Sequence, residues 1–194
     1  MRHLTTVALM LNLGIASLYA QQPAEEHSGA SRVRMRFSGS TMSTTLAIAP
    51  NTLNHESQVA GNSSLGPFTY RGLWADEPSQ SSGSCGSGFG PINRVVAGGG
   101  VFRFEDGSLL SVGITEGDGC VNLTAGVALL TVKYQITGGT GRFEGASGEL
   151  TMTATQMAVL RNAAGMPALL MFTGEFEGTI AGVARERKNR NGRQ

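Results

Sequence analysis

Tyr134-Gln135-Ile136-Thr137-Gly138-Gly139-Thr140-Gly141-Arg142-Phe143-Glu144-Gly145-Ala146-Ser147-Gly148-Glu149-Leu150 reads as a strand, a glycine-rich turn and a second strand, with one phenylalanine inside the turn. In the strand that leads in, Ala128, Leu130, Val132, Tyr134 and Ile136 face one way, and Thr131, Lys133, Gln135 and Thr137 the other. In the strand that leads out, Leu150, Met152 and Ala154 alternate with Thr151, Thr153 and Thr155. A period of two is the mark of a strand with one buried face. Gly138, Gly139 and Gly141 permit backbone angles closed to other residues, which suits a tight corner. Ala146 and Gly148 keep the backbone close to a neighbour, and Phe143 is expected to fold back and plug one end of whatever the strands enclose. A phosphate cradle would need a following helix and a Gly-Lys-Ser/Thr end, and neither stands here.

The same period runs outward from this corner. Val33, Met35 and Phe37 alternate with Arg32, Arg34 and Arg36. Leu46 and Ile48 suggest a second strand ending at Pro50, with a polar loop over 51–66. Phe68, Tyr70 and Trp74 share a parity in the next strand, and a Ser/Gly-rich loop follows over 76–93. Phe102 and Phe104 then meet Leu110, Val112 and Ile114 across a hairpin. A three-residue turn, Glu105-Asp106-Gly107, sets both sets on one face, whereas a two-residue turn would invert one of them. Gly107 is therefore expected to be left-handed. The loop 161–167 breaks the pattern before the last strand. There Leu170, Phe172, Phe176 and Ile180 point inward with Gly174 and Gly178 between them, and Thr173, Glu175, Glu177 and Thr179 point out. About eight short antiparallel strands with almost no helical pattern make an all-β barrel or sandwich. The glycines inside the last strand favour the eight-stranded antiparallel β-barrel, because they allow strong bending. Closure of that barrel pairs the first and last strands, so the Arg32, Arg34, Arg36 row is expected beside Glu175 and Glu177.

Residues Met1–Ala20 read as a secretory signal peptide. Arg2 and His3 form the polar start, Leu4–Leu13 is mostly apolar, and small residues follow at Gly14, Ala16, Ser17 and Ala20. Cleavage falls after Ala20 or, with Gly14 at the third position before the cut, after Ala16. The apolar run is shorter than the roughly 20 residues that span a bilayer, and no later segment is long and apolar enough. Residues 21–30 read as a disordered lead-in, 31–184 as the barrel domain and 185–194 as a disordered basic tail. Segment 21–184 carries 9 basic and 13 acidic residues, a net charge of −4, and segment 185–194 carries 5 and 1, a net charge of +4. A mildly acidic domain lacks the clustered basic face that nucleic acid needs.

Cys85 and Cys120 are the two cysteines, and in an exported chain an even pair reads as one disulfide. After export only His27 and His55 remain, both in polar, loop-like surroundings. A Cys–His or Ser–His–Asp site, or a Cys/His metal site, therefore lacks its partners, and no metal or cofactor is expected. Asn62-Ser63-Ser64 and Asn122-Leu123-Thr124 fit the glycosylation pattern in a eukaryotic host.

The turn Gly138-Gly139-Thr140-Gly141-Arg142-Phe143, with Ala146 and Gly148, resembles the turn shared by plant allene oxide cyclases, dirigent proteins and exported bacterial relatives. Phe172-Thr173-Gly174-Glu175-Phe176-Glu177-Gly178-Thr179-Ile180 resembles the final strand of the same calycin-like family. The likeness covers Tyr134–Met152 and Phe172–Ile180, and the first hundred residues match only in strand rhythm. It implies an eight-stranded antiparallel barrel, often a homotrimer. It also implies an apolar ligand or intermediate held inside. The matching turn carries none of that family's functional residues, so none is transferred.

Parity alone proposes the lining of the interior. Tyr70, Trp74 and Tyr134 lie on apolar faces. Glu116 continues the parity of Val112 and Ile114 toward a barrel mouth, unless the strand has already ended there. Gln156 continues that of Leu150 and Met152. An interior carboxylate would serve as an acid or an anchor. Two readings follow. One is an exported, non-enzymatic barrel that binds a small apolar ligand or serves structurally. The other is a cyclase-like or dirigent-like enzyme that steers an apolar intermediate.

Overall fold

The computed structural model describes residues 29–78, 85, 89, 90, 92–122 and 124–184. The signal peptide read over 1–20, most of the lead-in and the basic tail 185–194 lie outside the described residues. Eight strands follow one another: β1 Ser31–Thr44, β2 Leu53–Ser63, β3 Gly66–Pro78, β4 Ile92–Phe104, β5 Leu109–Asn122, β6 Val127–Gly139, β7 Ser147–Arg161 and β8 Pro167–Ala181. Each pairs antiparallel with its neighbour in sequence, and β1 pairs with β8, so the sheet closes into a barrel without an edge. A single short 3-10 helix, Gly141–Phe143, sits between β6 and β7 among the described residues.

The closing seam carries the basic row. Arg34 aligns with Glu177 and Arg36 with Glu175. Arg34 donates from Nε and Nη2 to the Glu175 carboxylate at 2.9 and 2.8 Å. Its hydrogen bond and charge hold the Glu175 carboxyl below the usual carboxylate range. The β4–β5 hairpin turns through Glu105-Asp106-Gly107, with Gly107 N–H donating to Phe104 O at 3.0 Å and a φ of 82° at Gly107. Phe102 thereby aligns with Leu110.

Three readings of the sequence are corrected. The second strand is Leu53–Ser63, where a polar loop is expected, and Leu46 and Ile48 lie outside it, 54% and 36% exposed. The inward row of β2 is His55, Ser57, Val59 and Gly61, so only one residue in it carries the apolar signal. The expected loop over 76–93 is shorter, because β3 runs on to Pro78 and β4 begins at Ile92. Glu116 does not continue the interior row. An extra residue, Thr115, bulges between the Ile114–Tyr134 and Glu116–Lys133 pairs, which turns Glu116 outward. There it forms an ion pair with Lys133 on the outer wall, and that pair lowers its pKa.

The core fills one half of the barrel with aromatic rings. Phe176 lies 5.1 Å from Phe37, 5.0 Å from Phe102, and 5.7 Å from both Tyr70 and Tyr134, centroid to centroid. Its strand neighbours on the inner face are Gly174 and Gly178. A Cβ at Gly178 would stand 2.0 Å from Glu149 O, and at Gly174 2.3 Å from Thr153 O, so only glycine lets β7 and β8 coil this tightly. Phe143 is fully buried at the same end, its ring 4.7 Å from Phe104, and Arg142 lies 4.9 Å from the centroids of both. Arg142 also donates to Leu65 O at 2.6 Å, tying the β2–β3 turn to the β6–β7 turn. That end is closed.

Cys85 and Cys120 are joined, Cα to Cα 5.6 Å, across 35 residues. On a chain-entropy estimate a loop of that length contributes about 4 kcal/mol. The bond fixes the β3–β4 connection to β5 at the opposite end of the barrel.

Replacing the ring at the centre of the core tests this packing. Phe176→Ala is expected to destabilise the barrel by about 3–5 kcal/mol, read as a lower urea midpoint at unchanged slope. A loss below 1 kcal/mol would show that Phe176 is not the centre of the core.

Candidate ligand cavity and its polar cluster

The open end of the barrel holds a cavity of about 320 Å³. That is at the small end of the range for ligand sites, roughly 300–1,000 Å³. Trp74, Val95, Ala128, Leu130 and Leu170 supply apolar walls, and His55, Asp76, Asn93 and Gln156 supply the polar groups. Strand parity brings these together. Trp74 and Asp76 extend the inward row that begins with Phe68 and Tyr70. His55 is the cross-strand partner of Trp74 on β2. Asn93 precedes Val95 by two on β4, and a bulge at Val96 resets the parity there so that Val95 points in.

The polar groups form a connected network. Asp76, 1% exposed, accepts from His55 Nε2 at Oδ1 and from Asn93 Nδ2 at Oδ2, each at 2.7 Å. A carboxylate can only accept, so the Nε2 position of His55 carries hydrogen. The imidazole stacks on Trp74, 4.1 Å between centroids and 21° between planes. Trp74 Nε1 donates to Ser57 Oγ at 2.9 Å, Ser57 Oγ donates to Thr41 Oγ1 at 2.9 Å, and Thr41 passes its hydrogen to Glu56 O at 3.1 Å. Every side chain behind the imidazole is thus held by another. Two polar atoms on the cavity residues stand apart. His55 Nδ1 and Gln156 Nε2 are buried and have no hydrogen-bond partner among the described residues. Leaving one such group unmatched costs about 1–3 kcal/mol.

Of the five residues that parity placed inside, Trp74 and Gln156 line the cavity. Tyr70 and Tyr134 lie deeper, where the space left among them, Ser57, Ile114, Met152 and Phe172 is about 10 Å³. That is roughly the least that holds one water molecule. They are packed interior and not a shelf for a ligand. Glu116 is on the outer wall. His55, Asp76 and Asn93 escaped the reading because β2 hides its period, and because Asp76 and Asn93 fell inside the expected loop. The parity of Trp74, carried two residues further, would have found Asp76.

Among described residues no group of three or more His, Cys, Asp or Glu side chains is placed to hold a metal ion. No family model and no curated protein matches the chain. Among solved structures, that of the pterocarpan synthase dirigent protein is similar, with a TM-score of 0.47 and 11% identity, over 84% of this chain and all of that one.

Burial pushes the Tyr70 hydroxyl up to about 12 and the Tyr134 hydroxyl well above its ordinary value; the Tyr134 hydroxyl donates to Met152 Sδ at 3.9 Å. Both raised values have the same sign for stability. Above pH 10 the unfolded tyrosines lose protons that the folded ones keep, so stability present at neutral pH is lost as pH rises from 10 toward 12. Each tyrosine contributes up to about 1.4 kcal/mol per pH unit in that window. Denaturation at pH 8 and pH 11 should show the loss, and Tyr70→Phe with Tyr134→Phe should flatten it. Parallel profiles for the two proteins would contradict the assignment.

Proposed function

We propose that this protein is an exported small-molecule-binding barrel whose mouth cavity takes one compact, mainly apolar molecule bearing a polar group. The observation that carries the reading is the cavity itself: apolar walls at the end opposite the plug, lined also by His55 and Gln156, each with a buried polar atom that lacks a partner among the described residues. Burial of apolar ligand surface supplies the affinity, at about 25 cal/mol per Å², and the polar atoms supply selection. Export is supported by the disulfide and by the apolar Leu4–Leu13 segment that follows Arg2 and His3.

A second reading, that the barrel acts on its ligand by steering a cyclisation or coupling, is favoured by one feature. His55 and Asp76 are two ionisable groups that share a cavity with apolar walls, the combination expected of a reaction site.

Self-association is also proposed, supported by the outer wall of β6, β7 and β8. Leu129, Met157 and Met171 are each about 45% exposed there, with Met157 and Met171 directly paired. Native mass spectrometry is expected to give a homo-oligomer, and Met157→Lys with Met171→Lys to give monomer. A wild-type monomer at micromolar concentration would end the idea.

Trp74, the chain's single tryptophan, reports on the cavity directly. Titration with a compact apolar ketone, 2-decalone, is expected to change its emission saturably. Ala128→Phe, which fills the cavity from β6, should abolish that change while the melting temperature stays within a few degrees. Equal titration curves for wild type and Ala128→Phe would place the ligand elsewhere and defeat the proposal.

A further inference from the structure

We infer that His55 is a general base for an enolisable carbonyl compound bound in the mouth cavity, with Gln156 as the donor to the carbonyl oxygen. The inference rests on the ligand-binding reading above and gives that site a chemistry. Three features of the cluster point to it.

The first is the state of the imidazole. Asp76 accepts from Nε2 at 2.7 Å, so Nδ1 is the ring nitrogen left to serve as a base. The second is its fixity. Asp76 is itself held by Asn93 at 2.7 Å, and the ring lies flat on Trp74, so the base cannot swing away. A base oriented by a carboxylate that is in turn oriented by a third group is the usual build of a proton-transfer site. The third is the complementary pair of buried atoms. Nδ1 can accept a proton, and Gln156 Nε2 can only donate a hydrogen bond. Both atoms are buried without a partner among the described residues, and both residues line the same cavity.

The step balances without a cofactor. His55 Nδ1 takes the proton from the carbon next to the carbonyl. The electron pair of that C–H bond becomes the enolate double bond, and the carbonyl π electrons move to oxygen. The Gln156 amide hydrogen stabilises that oxygen as charge develops on it, in a cavity with apolar walls where such a bond is strong. The proton then returns from Nδ1 to carbon, at the same position or, in an unsaturated ketone, further along the chain. The net reaction is an isomerisation. Asp76 acts through His55 and is a positioning residue.

The test uses the full chain with 2-decalone in D2O, following loss of the α-proton signal by NMR, with Trp74 emission recorded in parallel. Exchange is expected to exceed that caused by free imidazole at equal concentration by on the order of 100-fold. His55→Gln should bring it to the buffer rate while the emission change persists. Imidazole added to His55→Ala should restore part of it. Asp76→Asn should lower kcat with little change in KM, and Gln156→Leu should bind 2-decalone about tenfold more weakly while binding decalin, which lacks the oxygen, as before. Binding without exchange, or exchange that survives His55→Gln, overturns the inference and leaves the binding reading standing. Failure to bind either probe overturns both.

Discussion

The packing around Phe176 is the constraint on which the rest depends. Eight strands enclose a fixed interior, and aromatic rings occupy one half of it. Phe143 and Arg142 seal the same end. Among the described residues the larger cavity inside the barrel is at the other end, where the inward row includes Ser57, Thr41, Asp76, Ala128 and Gly119. The glycines beside Phe176 are part of this. They draw β8 tightly onto β7 beside the ring of Phe176.

Polar side chains in the open half carry a cost that the closed half avoids. A buried carboxylate such as Asp76 is tolerable only because His55 and Asn93 satisfy both of its oxygens. The chain Trp74–Ser57–Thr41 settles three more polar groups. A connected network holds side chains in single positions, which is what a site needs and what a simple hydrophobic core does not require. The barrel therefore separates two tasks along its axis. The aromatic packing lies at the plugged end, and the proposed ligand cavity lies at the mouth.

How much of this was legible follows from where apolar residues report the period. In β6, β7 and β8 the inward row is nearly all apolar, and both the strands and their facing could be read directly. The three-residue turn at Gly107 was readable for the same reason, since only one register joins two apolar rows. In β2 the inward row is His55, Ser57, Val59 and Gly61, and alternation of hydrophobicity vanishes just where the site is built. Bulges did the remaining damage. One extra residue at Thr115 reverses every later side chain of β5, so Glu116, which fits the interior row by count, lies on the outer wall. No property of the sequence around Thr115 announces that extra residue. The half that holds the candidate site is the half least visible to pattern, because polar side chains there stand where apolar residues would report the period.

The closing seam has a further meaning for how the molecule is presented. Ser31 and Ile180 are paired neighbours, and Ala184 bonds to Arg142 beside the plug. The strands therefore begin and end together, at the end of the barrel remote from the mouth. A tether or solid support joined close to Ser31 or Ala184 would therefore sit on the blind side. The architecture is that of a cup held by its base.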